Sequence, residues 1–540
     1  MASTPTDMGA AAKTAFTRKA SGLVRNMSLL DAAMFGLLST GGAYTFIYLY
    51  PLPQYLTPGA NIPLLILLTV AFSMLVYFVY AALGSAMPRA GGDYVFETRT
   101  LNRVVGFAVP WGSNLIFWLV FVSTGAYVAN TLGLIPIFNA LGLESVASWL
   151  GTPAGGTIVV LVILATQWAL GVFGFSMFRY AQRYVMIPFV VIGMATMIIV
   201  FLVNWNADFA GHFNAYYAGT GITYHSVQLA AVKNGWAPVG FNLRNTLVWF
   251  VLLAGIIPFT MFAAQGMLGE VKAAANLGRL FKAFLYPGLF MGLGILLVPW
   301  LLMQHAVGTD FMNQFATAYA SGAVTPPSPP NINIFAEILA PSAWVVVLIS
   351  LGFIGGGFGI ASVAFMNAGR VMMAMSMDGR LPTFLSKVSQ HFFTPMLALT
   401  VWAAVAVPIA VWFNYGNQTT VIALLNGTMI SAVTVVACTV LGGTLFPRTA
   451  AGIYATAPAR PVTLFGAPLV TVLGAIACII LFPAIIWGLL APELGETSTT
   501  TRIFLFTIYA SGFAVYAIWS LVERSRGVDT TLATREVPPE

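Results

Sequence analysis

Long apolar stretches alternate with short polar connections along almost the whole chain. Each stretch has about 20 residues or more, which is enough to cross a hydrocarbon core about 30 Å thick as an α-helix. The pattern therefore predicts about twelve membrane spans. Their predicted limits are residues 29–56, 63–87, 104–138, 155–174, 184–204, 245–269, 283–305, 342–375, 395–413, 418–445, 463–490 and 502–522.

Composition agrees with a lipid environment. Hydrophobic residues make up 59% of the chain and charged residues only 7%, whereas a soluble domain carries roughly 25% charged residues. The net charge of +7 does not indicate a nucleic-acid partner, because the basic residues are spread thinly over short loops. The two cysteines and four histidines show no ligand spacing, so neither a metal nor another cofactor is expected.

The basic residues fall almost entirely on one side of the predicted spans. Of the 23 Lys and Arg residues, all but Lys233, Arg244 and Arg502 lie in the two tails or in connections that follow even-numbered spans. Because Lys and Arg favour cytoplasmic loops, both termini are predicted to be cytoplasmic, with the chain in the plasma membrane.

The order of spans predicts two five-span repeats. Since five is odd, the second repeat would be inverted relative to the first, as in many transporters. The two long outer loops are interpreted either as simple capping loops or as a lid over an outer vestibule. The predicted organisation is a cytoplasmic tail at 1–28, the first repeat at 29–204, an extracellular loop at 205–244, the second repeat at 245–445 with an extracellular loop at 306–341, spans 11 and 12 within 446–526, and a cytoplasmic tail at 527–540.

The first span of each repeat carries a helix-breaking segment. Span 1 contains Ser39-Thr40-Gly41-Gly42, and span 6 contains Gly255-Ile-Ile-Pro258-Phe259-Thr260. Glycine weakens a helix by roughly 1 kcal/mol per residue, and proline removes a hydrogen bond. Freed backbone groups in a membrane need polar partners, so paired breaks are typical of a substrate site. The alternative is that these residues only help helices to pack or kink.

No Asp, Glu, Lys, Arg or His lies in the middle of the first ten predicted spans. This absence argues against a mid-membrane proton relay and against a catalytic centre that needs a general acid or base. The substrate is therefore expected to be zwitterionic or neutral, and the chain is not expected to be an enzyme.

Three motifs on the predicted cytoplasmic side resemble signatures of the amino acid–polyamine–organocation (APC) permeases. Met87-Pro-Arg-Ala-Gly-Gly-Asp-Tyr94 resembles their P-R-x-G-G-x-Y motif, and Gly269-Glu-Val-Lys272 resembles their E-x-K stretch. Arg370 together with Ala374-Met-Ser-Met-Asp-Gly-Arg-Leu-Pro382 resembles the motif that ends their span 8. The motifs fall at the expected places across most of the chain.

The resemblance implies an all-α, LeuT-type fold, with a 5+5 inverted repeat and two extra C-terminal helices. It also implies a permease that moves amino acids or related amines by alternating access. In the family, backbone amides of span 1 bind the substrate carboxylate and carbonyls of unwound span 6 receive its amino group. The matching positions here are Ser39, Thr40, Gly41, Gly42, Ile257, Pro258, Phe259 and Thr260. Thr40 and Thr260 stand where the family usually has glycine.

The same resemblance suggests gate residues. The family's aromatic gate corresponds to Ile256, so Phe259 or Phe262 would have to serve instead. At the cytoplasmic mouth Arg89, Asp93 and Glu97 are expected to pair with Arg370 or Asp378. The alternative is that these are solvated loop charges, which contribute little energy per pair.

The coupling ion is left open between H⁺ and Na⁺. Ser362 in span 8 is the candidate sodium ligand, although a serine there also serves as a packing residue. A substrate-binding sensor that keeps the permease fold without translocation is the alternative function. An intramembrane enzyme would need a catalytic dyad or metal cluster in the spans, and the sequence shows neither.

Overall fold

The computed structural model describes residues 14–15, 22–327, 330–416, 418–494, 498–526, 528–529 and 537. The protein is an all-α membrane protein. Within these residues, eleven helices are long and apolar enough to cross a bilayer. The remaining predicted span, the first, is a short apolar helix followed by a 3₁₀ turn.

The spans are numbered in chain order. They are span 1 (Leu29–Ser39 and the 3₁₀ turn Gly42–Tyr48), span 2 (Ile62–Ala86), span 3 (Val105–Ala140), span 4 (Pro153–Val172), span 5 (Phe175–Val203), span 6 (Leu243–Met261), span 7 (Leu277–Val307), span 8 (Ala343–Met377), span 9 (Met396–Tyr415), span 10 (Gln418–Thr449), span 11 (Leu469–Leu490) and span 12 (Thr499–Ser525).

Three predicted span starts were wrong by more than one helical turn. Span 7 begins at Leu277 rather than at residue 283. Span 5 begins at Phe175 rather than at residue 184, because a π-helical turn, Gln182–Met186, continues the helix through its basic stretch. Span 11 begins at Leu469 rather than at residue 463, because the preceding residues form a small antiparallel hairpin of Thr463–Leu464 and Ala467–Pro468.

Shorter elements connect the spans. The helices are Leu52–Leu56, Gly92–Thr100, Glu144–Leu150, Phe209–Tyr216, Tyr224–Lys233, Ala263–Gly266, Thr309–Ala320, Ile332–Leu339 and Ala451–Ala455, with 3₁₀ turns at Leu268–Glu270, Thr383–Ser386 and Pro492–Leu494. Strand Thr14–Ala15 pairs in parallel with Val528–Asp529. Further π-helical turns interrupt span 3 at Gly112–Ile116 and Ala129–Leu134, and span 7 at Phe290–Leu297.

Span 8 packs against spans 1, 3 and 5 at the centre of the bundle, through glycine contacts. A Cβ at Gly193 of span 5 would lie 2.5 Å from the Cα of Gly352, and a Cβ at Gly356 would collide with the carbonyl oxygen of Gly41. Small residues allow such close backbone approach in membranes. The glycine-rich stretch of span 8 therefore positions the break of span 1.

Candidate functional site

The break in span 1 lies where the sequence predicts it. The helix is capped by Ser28, whose side chain accepts from the Asp31 amide, and it ends at Ser39. Gly41 and Gly42 follow with φ of 69° and 55°. These are left-handed values that glycine adopts at little cost. The two glycines thus turn the chain out of the α-helix and into the 3₁₀ turn.

The break in span 6 is also present. The helical segment Phe250–Ala254 ends, and a 3₁₀ turn, Ile257–Met261, begins with Pro258 in its first turn. Tyr77 of span 2 donates its hydroxyl to the carbonyl of Ile257 at 2.8 Å, and the Thr260 hydroxyl donates to Tyr77 at 2.8 Å. Thr260, where the family usually has glycine, therefore helps to fix the unwound turn.

The two breaks contact each other. Ser39 Oγ lies 2.6 Å from the carbonyl oxygens of both Gly36 and Phe259 and can donate its single hydrogen to either one. A Cβ at Gly36 would collide with the carbonyl oxygen of Thr260. The sequence analysis missed Gly36, since a helical glycine before the break gives no signal of a partner in span 6. The contact brings the two groups of predicted substrate residues together, and all eight are buried.

Thr40, the other departure from the family pattern, is tied to its surroundings. Its hydroxyl oxygen lies 2.6 Å from the carbonyl of Leu37 and 3.2 Å from the sulfur of Met291 in span 7. The Thr40 carbonyl accepts from the hydroxyl of Thr45 at 2.9 Å. Hydroxyl groups therefore hold both edges of the turn at Gly41 and Gly42.

An aromatic cluster covers the span 6 break. The ring of Trp118 in span 3 lies 5.9 Å from that of Phe259 and 4.6 Å from that of Phe262, between ring centroids. Trp118 is 1% exposed, and its indole nitrogen has no hydrogen-bond partner among the described residues. A buried donor without a partner is costly. Trp118 is a site residue that the sequence pattern did not single out.

Ile256 and Ser362, two further predicted site positions, are also buried. Ile256 lies between the helical segment and the 3₁₀ turn of span 6, and it is 4% exposed. The Ser362 hydroxyl donates to the carbonyl of Phe358 one turn earlier, at 2.8 Å, as a packing serine does. A role for Ser362 in ion binding stays a prediction. Among the described residues, no group of three or more His, Cys, Asp or Glu side chains could hold a metal ion.

Buried ion pairs close the end of the bundle that carries the permease motifs. Arg370 Nε lies 2.8 Å from Glu270 Oε1, and Arg99 Nη2 lies 2.8 Å from Asp378 Oδ2. Tyr94 OH donates to the same Asp378 oxygen at 3.0 Å. The sequence did not suggest Arg99 or Tyr94 as partners, because only tertiary packing brings the end of span 8 to the helix Gly92–Thr100.

Asp93, Glu97 and Arg89 were expected to pair with Arg370 or Asp378, but the hydrogen bonds found for them go to other partners. Asp93 binds Asn114 of span 3 and Thr439 of span 10, and Glu97 binds Thr439. Both carboxyl groups are 0% exposed, so the alternative of solvated loop charges is wrong for them. Arg89 donates to the neighbouring Pro88 carbonyl at 3.1 Å, and burial lowers its pKa from the usual value.

The two long loops form a folded cap at the opposite end. We define the cap as the helices Phe209–Tyr216, Tyr224–Lys233, Thr309–Ala320 and Ile332–Leu339. The rings of Tyr224 and Phe311 stack 3.9 Å apart, and Phe213 lies 5.1 Å from Phe311. Tyr50, which follows span 1, donates to the carbonyl of Met312 at 2.9 Å. The cap therefore contacts the element that carries the first break.

Glu337 is a buried carboxyl group within the cap. Asn333 donates to it at 3.1 Å, and the Tyr216 hydroxyl lies 3.5 Å from it. Burial raises the pKa of Glu337 to about 7. Its charge therefore changes near neutral pH.

A sequence model of the amino acid permease family matches residues 27–513. The chain belongs to the amino acid permease family. This permease is 22% identical over 330 residues to Asc-type amino acid transporter 1 of Mus musculus and, equally, to that of Rattus norvegicus. Each alignment covers 60% of the permease and 52% of the relative, so the chain spans about half the length of the relatives it matches.

Its fold is similar to that of MhsT, whose crystal structure contains L-phenylalanine. The TM-score is 0.53 at 12% sequence identity, and the likeness covers 85% of the permease and 98% of MhsT. At this identity the likeness concerns the fold alone. It confirms the expected LeuT-type arrangement of membrane helices.

Proposed function

We propose that this permease is a secondary transporter of amino acids or related amines, with its substrate site at the paired breaks of spans 1 and 6. The contact between the two breaks carries the proposal, because it joins two irregular backbone segments inside a buried site. Irregular backbone at membrane depth is tolerated where it lines a cavity or meets a polar ligand. Membership of the amino acid permease family supports the substrate class.

The proposed binding mode uses backbone groups. The amides near Gly41 and Gly42 bind the substrate carboxylate, and the carbonyls of Ile257 and Phe259 receive the amino group. The Ile257 carbonyl already accepts a hydrogen bond from Tyr77, and the Phe259 carbonyl is within hydrogen-bond distance of the Ser39 hydroxyl. A carbonyl oxygen can accept two hydrogen bonds. The substrate ammonium group can therefore bind without displacing either hydroxyl.

The lining favours a zwitterionic or neutral substrate. Phe259, Phe262 and Trp118 offer apolar ring surface to a hydrophobic side chain. The unpartnered indole N–H of Trp118 supplies one polar contact for the substrate or a bound water molecule.

The buried site supports alternating access. Ion pairs close one end, and the folded cap covers the other. We propose that spans 1, 2, 6 and 7 move against spans 3, 4, 8 and 9, which opens each end in turn. The excess of Lys and Arg assigns the ion-paired end, and both termini, to the cytoplasmic side of the plasma membrane.

The test is a screen of radiolabelled amino acids with the purified chain in liposomes, with and without sodium and a pH gradient. We expect accumulation or exchange of neutral amino acids, and the gradients report whether H⁺ or Na⁺ is coupled. Binding without internal accumulation or exchange would favour a sensor instead.

The site itself is tested by Gly42→Val. A Cβ there would lie 3.0 Å from Val190, and φ is 55°, so a branched side chain cannot keep this turn without strain. We expect uptake to be lost while expression is kept. Gly240→Val is the control, because a Cβ at Gly240 meets nothing within 4 Å. Normal uptake by Gly42→Val would refute the site.

A further inference from the structure

The helix between spans 2 and 3, Gly92–Thr100, buries two carboxyl groups that the substrate site does not use. We call it the linking helix. Asp93 and Glu97 are one helical turn apart and 0% exposed, so their side chains occupy the same face of the helix. Two buried carboxylates this close cannot both ionise without a large electrostatic cost.

Thr439 of span 10 bridges the two carboxyl groups. Its hydroxyl oxygen lies 3.0 Å from Asp93 Oδ1 and 3.0 Å from Glu97 Oε1. A hydroxyl group has one hydrogen and can donate to only one of these acceptors. The second contact is a hydrogen bond only if that carboxyl group carries a proton and donates to Thr439. With one proton on the two carboxyl groups, both contacts with Thr439 are hydrogen bonds.

The remaining contacts assign the proton to Glu97. Asp93 accepts a second hydrogen bond, from Asn114 at 2.9 Å. Glu97 Oε2 has no partner within the described part of the chain. Because donated hydrogen bonds stabilise the charged form of a carboxyl group, Asp93 holds the negative charge more readily.

Tyr80 of span 2 lies beside the pair. Its hydroxyl group is fully buried and interacts with Asp93 and Thr439. A hydroxyl group that donates to a carboxylate stabilises its charged form. Tyr80 is therefore a donor that favours the charge on Asp93.

The charges around the pair do not neutralise it. The titratable groups that interact with it among the described residues are Tyr80 and, on span 10, Cys438, and both are ordinarily neutral at pH 7. Arg99 on the linking helix and Arg370 on span 8 are engaged by Asp378 and Glu270 respectively. Burial raises the pKa of Asp93 to about 6 and holds the pKa of Glu97 well above its usual value.

We propose that Asp93 and Glu97 form a proton-binding site, and that loss of its proton loosens the linking helix and favours opening of the ion-paired gate. The proton leaves Glu97 for cytoplasmic water, so a second anion remains between the linking helix and span 10. Water must then enter to solvate it. The same helix carries Tyr94 and Arg99, which hold Asp378 at the end of span 8.

The link to transport rests on the proposed function, but the bound proton does not. Infrared titration of the purified chain in nanodiscs therefore tests the proton directly. In a Glu337→Gln background, which removes the cap carboxyl group that titrates near pH 7, we expect a protonated-carboxyl band that persists above about pH 6, where Asp93 and exposed carboxyl groups are ionised, and that is lost when Glu97→Gln is added. The control Glu144→Gln removes an exposed carboxyl group and should keep the band.

A second variant keeps the test informative if Glu97→Gln misfolds. Asp93→Asn removes the neighbouring charge that raises the pKa of Glu97, so the band should disappear at a lower pH than in the wild type. An unchanged band in Glu97→Gln overturns the proposal. The proposal is also overturned if the wild type lacks the band and its thermal unfolding midpoint rises when sodium is added. That result indicates a sodium site instead.

Transport measurements test the gate. With about pH 6 or about pH 8 on the cytoplasmic side, the wild type and Glu144→Gln should differ in exchange rate between the two conditions. Glu97→Gln should lose this dependence. A retained dependence overturns the gating role. If the wild type transports no amino acid, the proposed function is wrong. The infrared measurement still tests the bound proton, because it does not depend on transport.

Discussion

At the scale of single residues, hydroxyl and indole groups fix the backbone of the candidate site. Tyr77 binds the Ile257 carbonyl of the unwound turn, Thr260 donates to Tyr77, and Ser39 Oγ lies 2.6 Å from the Phe259 carbonyl. Trp118 brings a buried indole N–H to the site without a hydrogen-bond partner in the described chain. Its polar group is therefore available to the substrate.

Replacing Trp118 by Phe is expected to weaken substrate affinity. The change keeps an aromatic ring but removes the indole N–H, and one hydrogen bond contributes about 0.5–1.5 kcal/mol, or roughly a 2- to 13-fold rise in KM. Uptake kinetics in proteoliposomes measure the effect. Trp149→Phe, at a half-exposed position outside the site, should leave KM unchanged. An unaltered KM in Trp118→Phe would assign the indole to packing alone.

At the scale of elements, the breaks and the cap differ in how they are determined. Glycine and proline interrupt spans 1 and 6 through their own backbone geometry, so the interruptions follow from local sequence. The cap depends on aromatic contacts between segments that are far apart in the sequence, such as Tyr224 with Phe311. Glu337 lies buried under this contact layer.

The stability of the protein is expected to fall as pH rises through about 7 because of Glu337. Its pKa is raised in the folded state from 4.5 to about 7. Its contribution is therefore fully present below about pH 4.5 and is lost above the folded value. Glu337→Gln should remove this loss of stability. At about pH 8 the free energy of unfolding of the variant should exceed that of the wild type by on the order of 1–3 kcal/mol.

Thermal unfolding in nanodiscs at about pH 5 and about pH 8 measures this effect. Glu144→Gln is the control, because it also removes one carboxyl group but at an exposed position. If the thermal unfolding midpoints of Glu337→Gln and the wild type fall by the same amount between the two pH values, Glu337 is not the titrating group.

At the scale of the whole molecule, two buried ion pairs connect parts of the chain that are distant in sequence. Arg370 of span 8 joins Glu270 after span 6, and Arg99 of the linking helix joins Asp378 after span 8. Backbone hydrogen bonds add to this closure, since Met27 before span 1 donates to the Glu270 carbonyl at 2.8 Å. The motif-bearing end is thus closed by contacts among both repeats.

Removing one partner of the Arg370–Glu270 pair should lower the stability of the folded protein more than removing both partners. Arg370→Met leaves Glu270 buried without its cation, at a cost of about 3–5 kcal/mol, and the double variant Arg370→Met, Glu270→Leu should recover most of this loss. Thermal unfolding in nanodiscs compares the three proteins.

The exposed pair Arg244–Glu493 offers a matched control. Arg244 has a 58% exposed side chain, so Arg244→Met should change stability by less than about 1 kcal/mol. A double variant no more stable than Arg370→Met would show that the arginine acts by packing rather than by neutralising Glu270.

The sequence alone determined the membrane class, the spans and the paired breaks, because these depend on apolar length and on the local geometry of glycine and proline. The family motifs lie at the end of the bundle that carries the buried ion pairs. The start of span 5 was missed because its basic first turns look like a loop in a hydrophobicity pattern.

Only the tertiary structure decided which polar groups meet. The sequence argument against buried carboxyl groups concerned the middle of the spans, whereas Asp93 and Glu97 lie on the linking helix. Their partner Thr439 is more than 340 residues away, and a threonine within an apolar span has no local feature that names its partner. Packing brings such groups together and excludes water from them. Burial in turn gives the carboxyl pair, the ion pairs and Trp118 the properties on which the proposals depend.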